Sequence, residues 1–333
     1  MQPQPLHWGI LGAANIAERA VIPGIQASLW GRVAAIASRD GDKAQSMAER
    51  LEIPVWYGTY EDLLSDPNID AIYIPLPNHL HAEWTVRAAQ AGKHVLCEKP
   101  AALSAVEALR MVEACESAEV KFSEAFMYRY HPRYTKIRQL IAEGAIGELR
   151  GMHATFTFNN AQDQGNIRYQ RQMGGGSLYD VGCYPISAAR LVFGTEPKAA
   201  TVTALISDAH DGVDMMASGL LEFPDQLALT FDCGMWADFR NHLEILGTDG
   251  RIEVPHAFLG PANFRVWSRG EEREEEFPEL NPYTLQADRF AQSILHQEPL
   301  AFDPMDAVRN MAALDACLAS AYQGDRRLVQ RTD

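Results

Sequence analysis

The sequence predicts an α/β chain: a doubly wound parallel sheet, followed by an α+β domain built on a mostly antiparallel open sheet. Three observations predict it. From Leu6 to about Ser123, short apolar runs alternate with helical stretches, the pattern of a parallel sheet with helices on both faces. After Glu143-Gly144-Ala145-Ile146-Gly147 the runs become alternating strands, the pattern of an antiparallel sheet with one covered face. Finally, 333 residues that are 47% hydrophobic and 22% charged make about two cored domains at roughly 150 residues each, which excludes a disordered or fibrous chain. The boundaries fall at 1–125 and 126–303; a terminal helix over about 304–323 could pack back on the first domain, which pattern alone does not decide.

In the first domain the strands are His7–Leu11, Val33–Ser38, Ala71–Ile74, His94–Cys97 and Val120–Ser123. Between them lie helical stretches at Ile16–Leu29, Lys43–Leu51, His81–Ala91 and Ala105–Cys115, with Asp66-Pro67-Asn68, Ala91-Gly92-Lys93 and Ser104 as turn and cap signals. Tyr128-Arg129-Tyr130-His131-Pro132 reads as the crossover, with Arg129 structural. The second domain carries strands at Leu149–Phe158, Ala200–Ser207, Met215–Leu221, Leu227–Asp232, His242–Leu246, Arg251–Val254 and Phe264–Trp267, and a helix over Tyr184–Phe193. Phe223-Pro224-Asp225-Gln226 and Gly247-Thr248-Asp249-Gly250 are hairpin signals. Glu271-Glu272-Arg273-Glu274-Glu275-Glu276 reads as a solvated loop or hairpin edge, and helices over Pro282–Leu295 and Asp306–Tyr322 close the chain.

Charge and cysteine usage narrow the function classes. A formal net charge of −15 repels phosphate backbones and anionic membranes, which argues against nucleic acid as a partner but leaves room for a pocket holding one small anion. The five cysteines are scattered without a C-x-x-C, so neither a disulfide framework nor a structural zinc site is indicated. The amino-terminal stretch has no basic region followed by an apolar run, and no segment approaches the ~18 apolar residues of a membrane span. The expectation is a soluble cytoplasmic protein.

Gly12-Ala13-Ala14-Asn15-Ile16-Ala17 follows the first strand and opens a helix, a G-x-A-x-x-A relative of the dinucleotide fingerprint. Gly12 would make the tight turn, Ala14 would let backbone approach a pyrophosphate, and Ala17 would pack helix on strand while amino-terminal amides face the phosphates. The second strand ends in Ser38-Arg39-Asp40, where an NAD enzyme usually presents an acid to the ribose. Ser38 can donate to a 2′-phosphate and Arg39 can pair with it, so NADP is preferred with NAD possible. The alternative is that Arg39 is a surface arginine and Asp40 reaches the ribose. Pro75-Leu76-Pro77-Asn78 and Glu98-Lys99-Pro100 end two further parallel strands, where ligands collect in open sheets. Lys99 would stabilise an alkoxide or tune an acid/base partner, and a cis Pro100 would fix its direction.

Trp8–Ala17, Ile74–His81, Gly92–Pro100 and Gly174-Gly175-Gly176-Ser177-Leu178-Tyr179-Asp180-Val181-Gly182-Cys183-Tyr184-Pro185 together closely resemble the glucose–fructose oxidoreductase/inositol dehydrogenase family, Gfo/Idh/MocA. The resemblance spans nearly the whole chain. It implies an amino-terminal Rossmann domain and a carboxy-terminal domain whose open sheet face serves oligomerisation, hence a homodimer or homotetramer. It matches Lys99 to the catalytic lysine, Glu98 to its neighbour on the nicotinamide side, and Asp180 to the aspartate of the glycine-rich motif. His81 resembles a histidine placed near the cofactor; the alternative is that it only caps or orients the helix it opens. Four residues after Asp180 the inositol dehydrogenases carry histidine and this chain has Tyr184, as in the glucose–fructose oxidoreductase, D-xylose dehydrogenase and dimeric dihydrodiol dehydrogenase branch.

A tyrosine holds its proton to a pH of about 10, so acting as a base near neutrality it needs a cation, which Lys99 would supply. The implied reaction moves a hydride between a sugar or cyclic polyol CH–OH and nicotinamide, at C1 of an aldose such as xylose or glucose. The rivals are a keto-sugar reductase, a trans-dihydrodiol dehydrogenase, and a non-catalytic cofactor sensor. Cofactor contacts are expected from Gly12, Ala13, Ala14, Asn15, Ile16, Ser38, Arg39, Pro75, Leu76, Asn78, His81, Glu98 and Lys99. Substrate contacts are expected from Lys99, Asp180 and Tyr184; Phe158 and Arg168 could line the pocket, the alternatives being core packing for Phe158 and a surface charge for Arg168. His79 and His81 suggest no metal, because no carboxylate or cysteine joins them at ligand spacing.

Overall fold

A computed structural model describes residues 5–163 and 165–332; the first four residues of the amino-terminal stretch read above lie outside it. The chain forms two compact units: residues up to Tyr130 with Leu280–Val308, and His131–Glu279 with the segment from Arg309 onward.

The first unit is a six-stranded parallel sheet of β1 (Leu6–Leu11), β2 (Gly31–Ala37), β3 (Val55–Tyr57), β4 (Ala71–Ile74), β5 (His94–Cys97) and β6 (Phe122–Glu124), in the order β3-β2-β1-β4-β5-β6. The order reverses between β1 and β4, which makes a switch-point crevice outside the strands' carboxyl ends. The strands are near-continuous apolar runs because helices cover both faces. A helix over residues 15–26 follows β1; its second half is α1 (Ile22–Gln26). It stops short of the expected Leu29 because the Ser28 hydroxyl accepts the amides of Trp30 and Gly31, turning the chain into β2. Then come α2 (Gly41–Arg50), α3 (Tyr60–Ser65), α4 (His81–Gln90) and α5 (Ala105–Ser117). Asp40, Thr59 and Ser104 cap α2, α3 and α5 by accepting the amides of Lys43, Asp62 and Glu107, each cap worth ~1 kcal/mol. Short β3 and α3 escaped the sequence reading, since three strand residues make no period.

The second unit opens with α6 (Pro132–Ala142), also unread in the sequence, and then builds a nine-stranded sheet. Its strands are β7 (Leu149–Asn159), β8 (Ala199–Ser207), β9 (Val213–Glu222), β10 (Ala228–Gly234), β11 (Trp236–Gly247), β12 (Gly250–Val254), β13 (Phe264–Ser268), β14 (Glu271–Glu275) and β15 (Arg327–Leu328), with α7 (Cys183–Phe193) before β8. The order is β14-β13-β12-β11-β7-β10-β9-β8-β15, antiparallel throughout except for the β7–β10 pair. β11 starts six residues before the expected His242, because a register shift between Trp236 and Arg240 breaks the alternation there. The acidic run is the edge strand β14, hydrogen-bonded to β13.

The chain closes with α8 (Pro282–Leu295) and α9 (Met305–Gln323). It is α8 that joins the first unit: Phe290, Ala287 and Ala291 pack into its core, Phe290 lies 5.4 Å from Trp8, and Gly24 of α1 allows the close approach of Tyr283. The expected boundary at 303 is thereby corrected, as Leu280–Val308 groups with the first unit and most of α9 with the second. Periodicity shows that a helix has an apolar stripe but not which sheet the stripe meets. Among the described residues no helix is long and apolar enough to cross a membrane.

Candidate active site

The glycine turn after β1 has the geometry a dinucleotide requires. Gly12 sits at φ +134°, and a Cβ there would come within 2.9 Å of Leu76 Cδ2, so neither conformation nor space admits a side chain. Ala13 and Ala14 are half-buried, Asn15 and Ile16 are exposed, and Ala17 is buried against the sheet. The first turn of a helix leaves amides without intrahelical partners, so this open, small-residue cradle fits a pyrophosphate.

At the end of β2, Ser38 is nearly buried and its hydroxyl accepts the Asp40 amide, while Arg39 is exposed. Asp40 is committed to α2, accepting the Lys43 amide at 3.2 Å and facing the Lys43 ammonium at 3.7 Å. Burial holds the Tyr60 phenol above its usual range, and the positive charge of Arg39 works against that rise.

The carboxyl ends of β4 and β5 are tied together. Pro75 and Leu76 are buried, Asn78 opens a single 3₁₀ turn, and the Glu98 amide donates to the Ile74 carbonyl. Glu98 Oε1 accepts the Tyr73 phenol at 2.6 Å, and Oε2 accepts the Lys99 amide. Burial first, and Glu98 second, hold the Tyr73 proton well above its usual range, so the phenol stays a donor. The Lys99–Pro100 peptide is cis. His81 is fully buried, with Nδ1 2.9 Å from the Pro100 carbonyl and Nε2 2.7 Å from the Leu76 carbonyl. With no exposed surface and both nitrogens against backbone carbonyls, the ring brackets two loops, which fits the orienting role that the sequence left open for it. Burial drives its pKa down to about 4, and at neutral pH the ring carries one proton for two carbonyls.

In the second unit Asp180 and Tyr184 ride one continuous helical segment, a wide turn over Leu178–Gly182 running into α7. Arg168 donates from Nε to Asp180 Oδ2 at 2.6 Å, and this carboxylate is the first cause holding the guanidinium's pKa above its usual value. Tyr184 is almost buried, with its ring 5.2 Å from both Phe156 and Phe258, which themselves stack at 5.4 Å. Phe158 does not take that place; it packs against the cluster of Tyr169, Val213, Met215 and Met235. The strand's alternation put Phe156 and Phe158 on one face, and only the helix position two residues back selects Phe156. Phe258, in the loop after β12, left no sequence signal. Tyr73 left one: a phenol in the middle of a buried parallel strand needs a partner.

Lys99 with Glu98 thus belongs to the first unit, and Asp180 with Arg168 and Tyr184 to the second. Among the described residues no three His, Cys, Asp or Glu side chains converge as a metal would require.

Comparison with known proteins bears on the whole chain. The profile of the oxidoreductase family with an NAD-binding Rossmann fold matches residues 6–126, and that of the GFO/IDH/MocA C-terminal domain matches residues 134–253. The chain is 38% identical to D-xylose 1-dehydrogenase (NADP+) 2 of Haloferax volcanii, over 96% of this chain and 98% of that one. Its structure resembles the aldose-aldose oxidoreductase of Caulobacter crescentus complexed with glycerol, with TM-score 0.91 and 27% identity over 98% of this chain and 100% of that one. It also resembles the 3-ketoreductase of Actinomadura kijaniata in complex with NADP and TDP-benzene, with TM-score 0.90 and 32% identity over 96% and 98%. A glycine cradle at the switch point of a 3-2-1-4-5-6 sheet, followed by an open antiparallel sheet, thus meets sequence likeness from end to end, and the chain belongs to the Gfo/Idh/MocA family of NAD(P)-binding oxidoreductases.

Proposed function

We propose that this enzyme is an NADP-preferring dehydrogenase of a sugar or cyclic polyol, oxidising an aldose such as xylose or glucose at C1. The likeness to a D-xylose 1-dehydrogenase over nearly the full length of both chains carries the substrate class. The commitment of Asp40 to capping α2, with Arg39 exposed beside Ser38, supports a 2′-phosphate rather than a bare ribose at the end of β2. Gly12 to Ile16 would hold the pyrophosphate, with Pro75, Leu76, Asn78 and Glu98 flanking the nicotinamide half. The first unit is then the cofactor domain and the second the substrate domain.

When bound, the nicotinamide supplies a hydride acceptor. This chain's residues do the rest: Tyr184 takes the substrate hydroxyl proton, the Lys99 ammonium makes that phenol acidic enough to exchange a proton near neutral pH, and Asp180, braced by Arg168, orients the sugar. The reverse direction, reduction of a keto-sugar, uses the same groups and is favoured by the likeness to the 3-ketoreductase. The exposed sheet face carrying Leu205, Leu220 and Leu246 is assigned to a second copy of the chain, checked by sedimentation.

Turnover on an aldose panel with NADP+ and a ketose panel with NADPH separates the directions. Lys99→Ala and Tyr184→Phe should each lose ~100-fold or more in turnover while still quenching tryptophan fluorescence with NADPH. Retained turnover in both sinks the assignment. Arg39→Ala should weaken NADPH by ~10-fold or more and leave NADH unchanged; equal losses for both cofactors cancel the reading of Ser38 and Arg39.

A further inference from the structure

We propose that Asp214 of β9, which lies in none of the motifs above, is a positioning residue that holds Asp180 and Tyr184 in place through the Gly174–Ser177 turn; the inference rests on the reading of those two as site residues. Asp214 is fully buried. Its Oδ2 accepts the Ser177 hydroxyl and the Leu178 amide, both at 2.7 Å, and Ser177 is itself fully buried. Leu178 opens the wide turn that carries Asp180 and leads directly into Tyr184. A carboxylate accepting at the first turn of a helical segment both caps it and complements its dipole.

The turn is also the point from which the rest of the site hangs. The Gly176 carbonyl accepts the Asp180 amide at 3.0 Å, and the Gly176 amide donates to the Arg168 carbonyl at 2.9 Å. Arg168 in turn grips Asp180. Two glycines are required by these approaches. A Cβ on Gly175 would stand 2.5 Å from the Arg168 carbonyl oxygen, and one on Gly176, at φ +118°, would collide with Asp214 Oδ1. The glycine run therefore makes room for a buried carboxylate as much as for any ligand. Asp214 Oδ1 has no hydrogen-bond partner among the described residues. Burial pushes the carboxyl up to about 6, against the donors that pull it down. A group on the edge of neutrality at this site acts by accepting hydrogen bonds, and its neutral isostere can replace it.

The test compares Asp214→Ala, Asp214→Asn and Ser177→Ala, each alone and combined with Tyr184→Phe, in turnover, substrate KM and NADPH binding. Asp214→Ala should lower kcat by about 10- to 100-fold, as small misplacements of site residues do, and leave NADPH affinity within about twofold. Asp214→Asn, which keeps an acceptor for both donors, should recover to within about threefold of wild type. Ser177→Ala, the milder variant should Asp214→Ala not fold, should fall between them. Asp214→Ala added to Tyr184→Phe should cost clearly less than it does alone, because the part of its effect that runs through Tyr184 is already lost and only the part through Asp180 remains. The proposal is overturned if Asp214→Ala or, where that variant does not fold, Ser177→Ala keeps wild-type kcat, if Asn does no better than Ala, or if the losses multiply with Tyr184→Phe. Should Tyr184→Phe alone retain turnover, the reading of the site fails instead, which separates the two failures.

Discussion

The two groups of candidate residues, one in each unit, are held by opposite means. Around Lys99 the fixing groups are main-chain carbonyls and one phenol, placed by neighbouring parallel strands: His81 brackets Leu76 and Pro100, and Tyr73 grips Glu98. Around Tyr184 the fixing groups are charged side chains brought from afar, Asp214 from β9 and Arg168 from the loop after β7, converging on a turn with no room for a side chain. The first arrangement follows from sheet topology. The second depends on particular tertiary bonds to a buried carboxyl, and should therefore be the more sensitive to pH.

The largest expected effect tests that contrast through pH. The Asp214 carboxyl stands at about 6 in the folded chain against the ordinary 3.8. A raised carboxyl favours folding when protonated, so its contribution is most favourable below pH ~4 and is lost as pH rises through ~6, a swing of ~3 kcal/mol. Urea unfolding from pH 4.5 to 7.5 should show a decline that Asp214→Asn flattens. Identical pH slopes in wild type and variant would remove the contrast.

Next in size is His81→Ala, which cuts the bracket between the β4 and β5 loops. Turnover should fall by about 10- to 100-fold, with a smaller loss in NADPH affinity, because the ring meets backbone and not ligand. If NADPH affinity falls as far as turnover, His81 acts on the cofactor and the orienting role fails. Tyr73→Phe comes after it. It removes one donor from Glu98 in a strand that stays packed, and a loss of about three- to tenfold in turnover is expected.

The same contrast explains what could be read in advance. Strand–helix alternation, the turn at Gly12 and the strand-end position of Lys99 were legible, because a parallel sheet puts every strand's carboxyl end on one edge. The place of Asp180 and Tyr184 on one helical segment was legible through a motif. Their supports were not: Asp214 lies in a strand whose buried polar position looks like any other, and Phe158 was chosen where Phe156 meets Tyr184, since both share a strand face. The domain boundary was missed near the carboxyl terminus for a related reason, as an apolar helical stripe does not name the sheet it will cover.

The smallest effect belongs to the edge strand β14, the acidic run in which Glu271 to Glu274 are all exposed. Glu274 pairs in register with Arg265, Arg265 also lies 3.8 Å from Glu272, and Arg273 pairs with Glu275. Exposed ion pairs of this kind contribute little, so Glu272→Ala and Glu274→Ala should each shift stability by no more than ~0.5 kcal/mol. Their use is negative: like charges along an edge discourage another strand from adding to the nine-stranded sheet. Replacing both by valine should leave the folded chain nearly as stable while raising the concentration-dependent assembly seen by light scattering. A double variant that gains no association would show that the edge is protected by something other than its charge, and one that loses several kcal/mol would show that the glutamates belong to the fold's own stability.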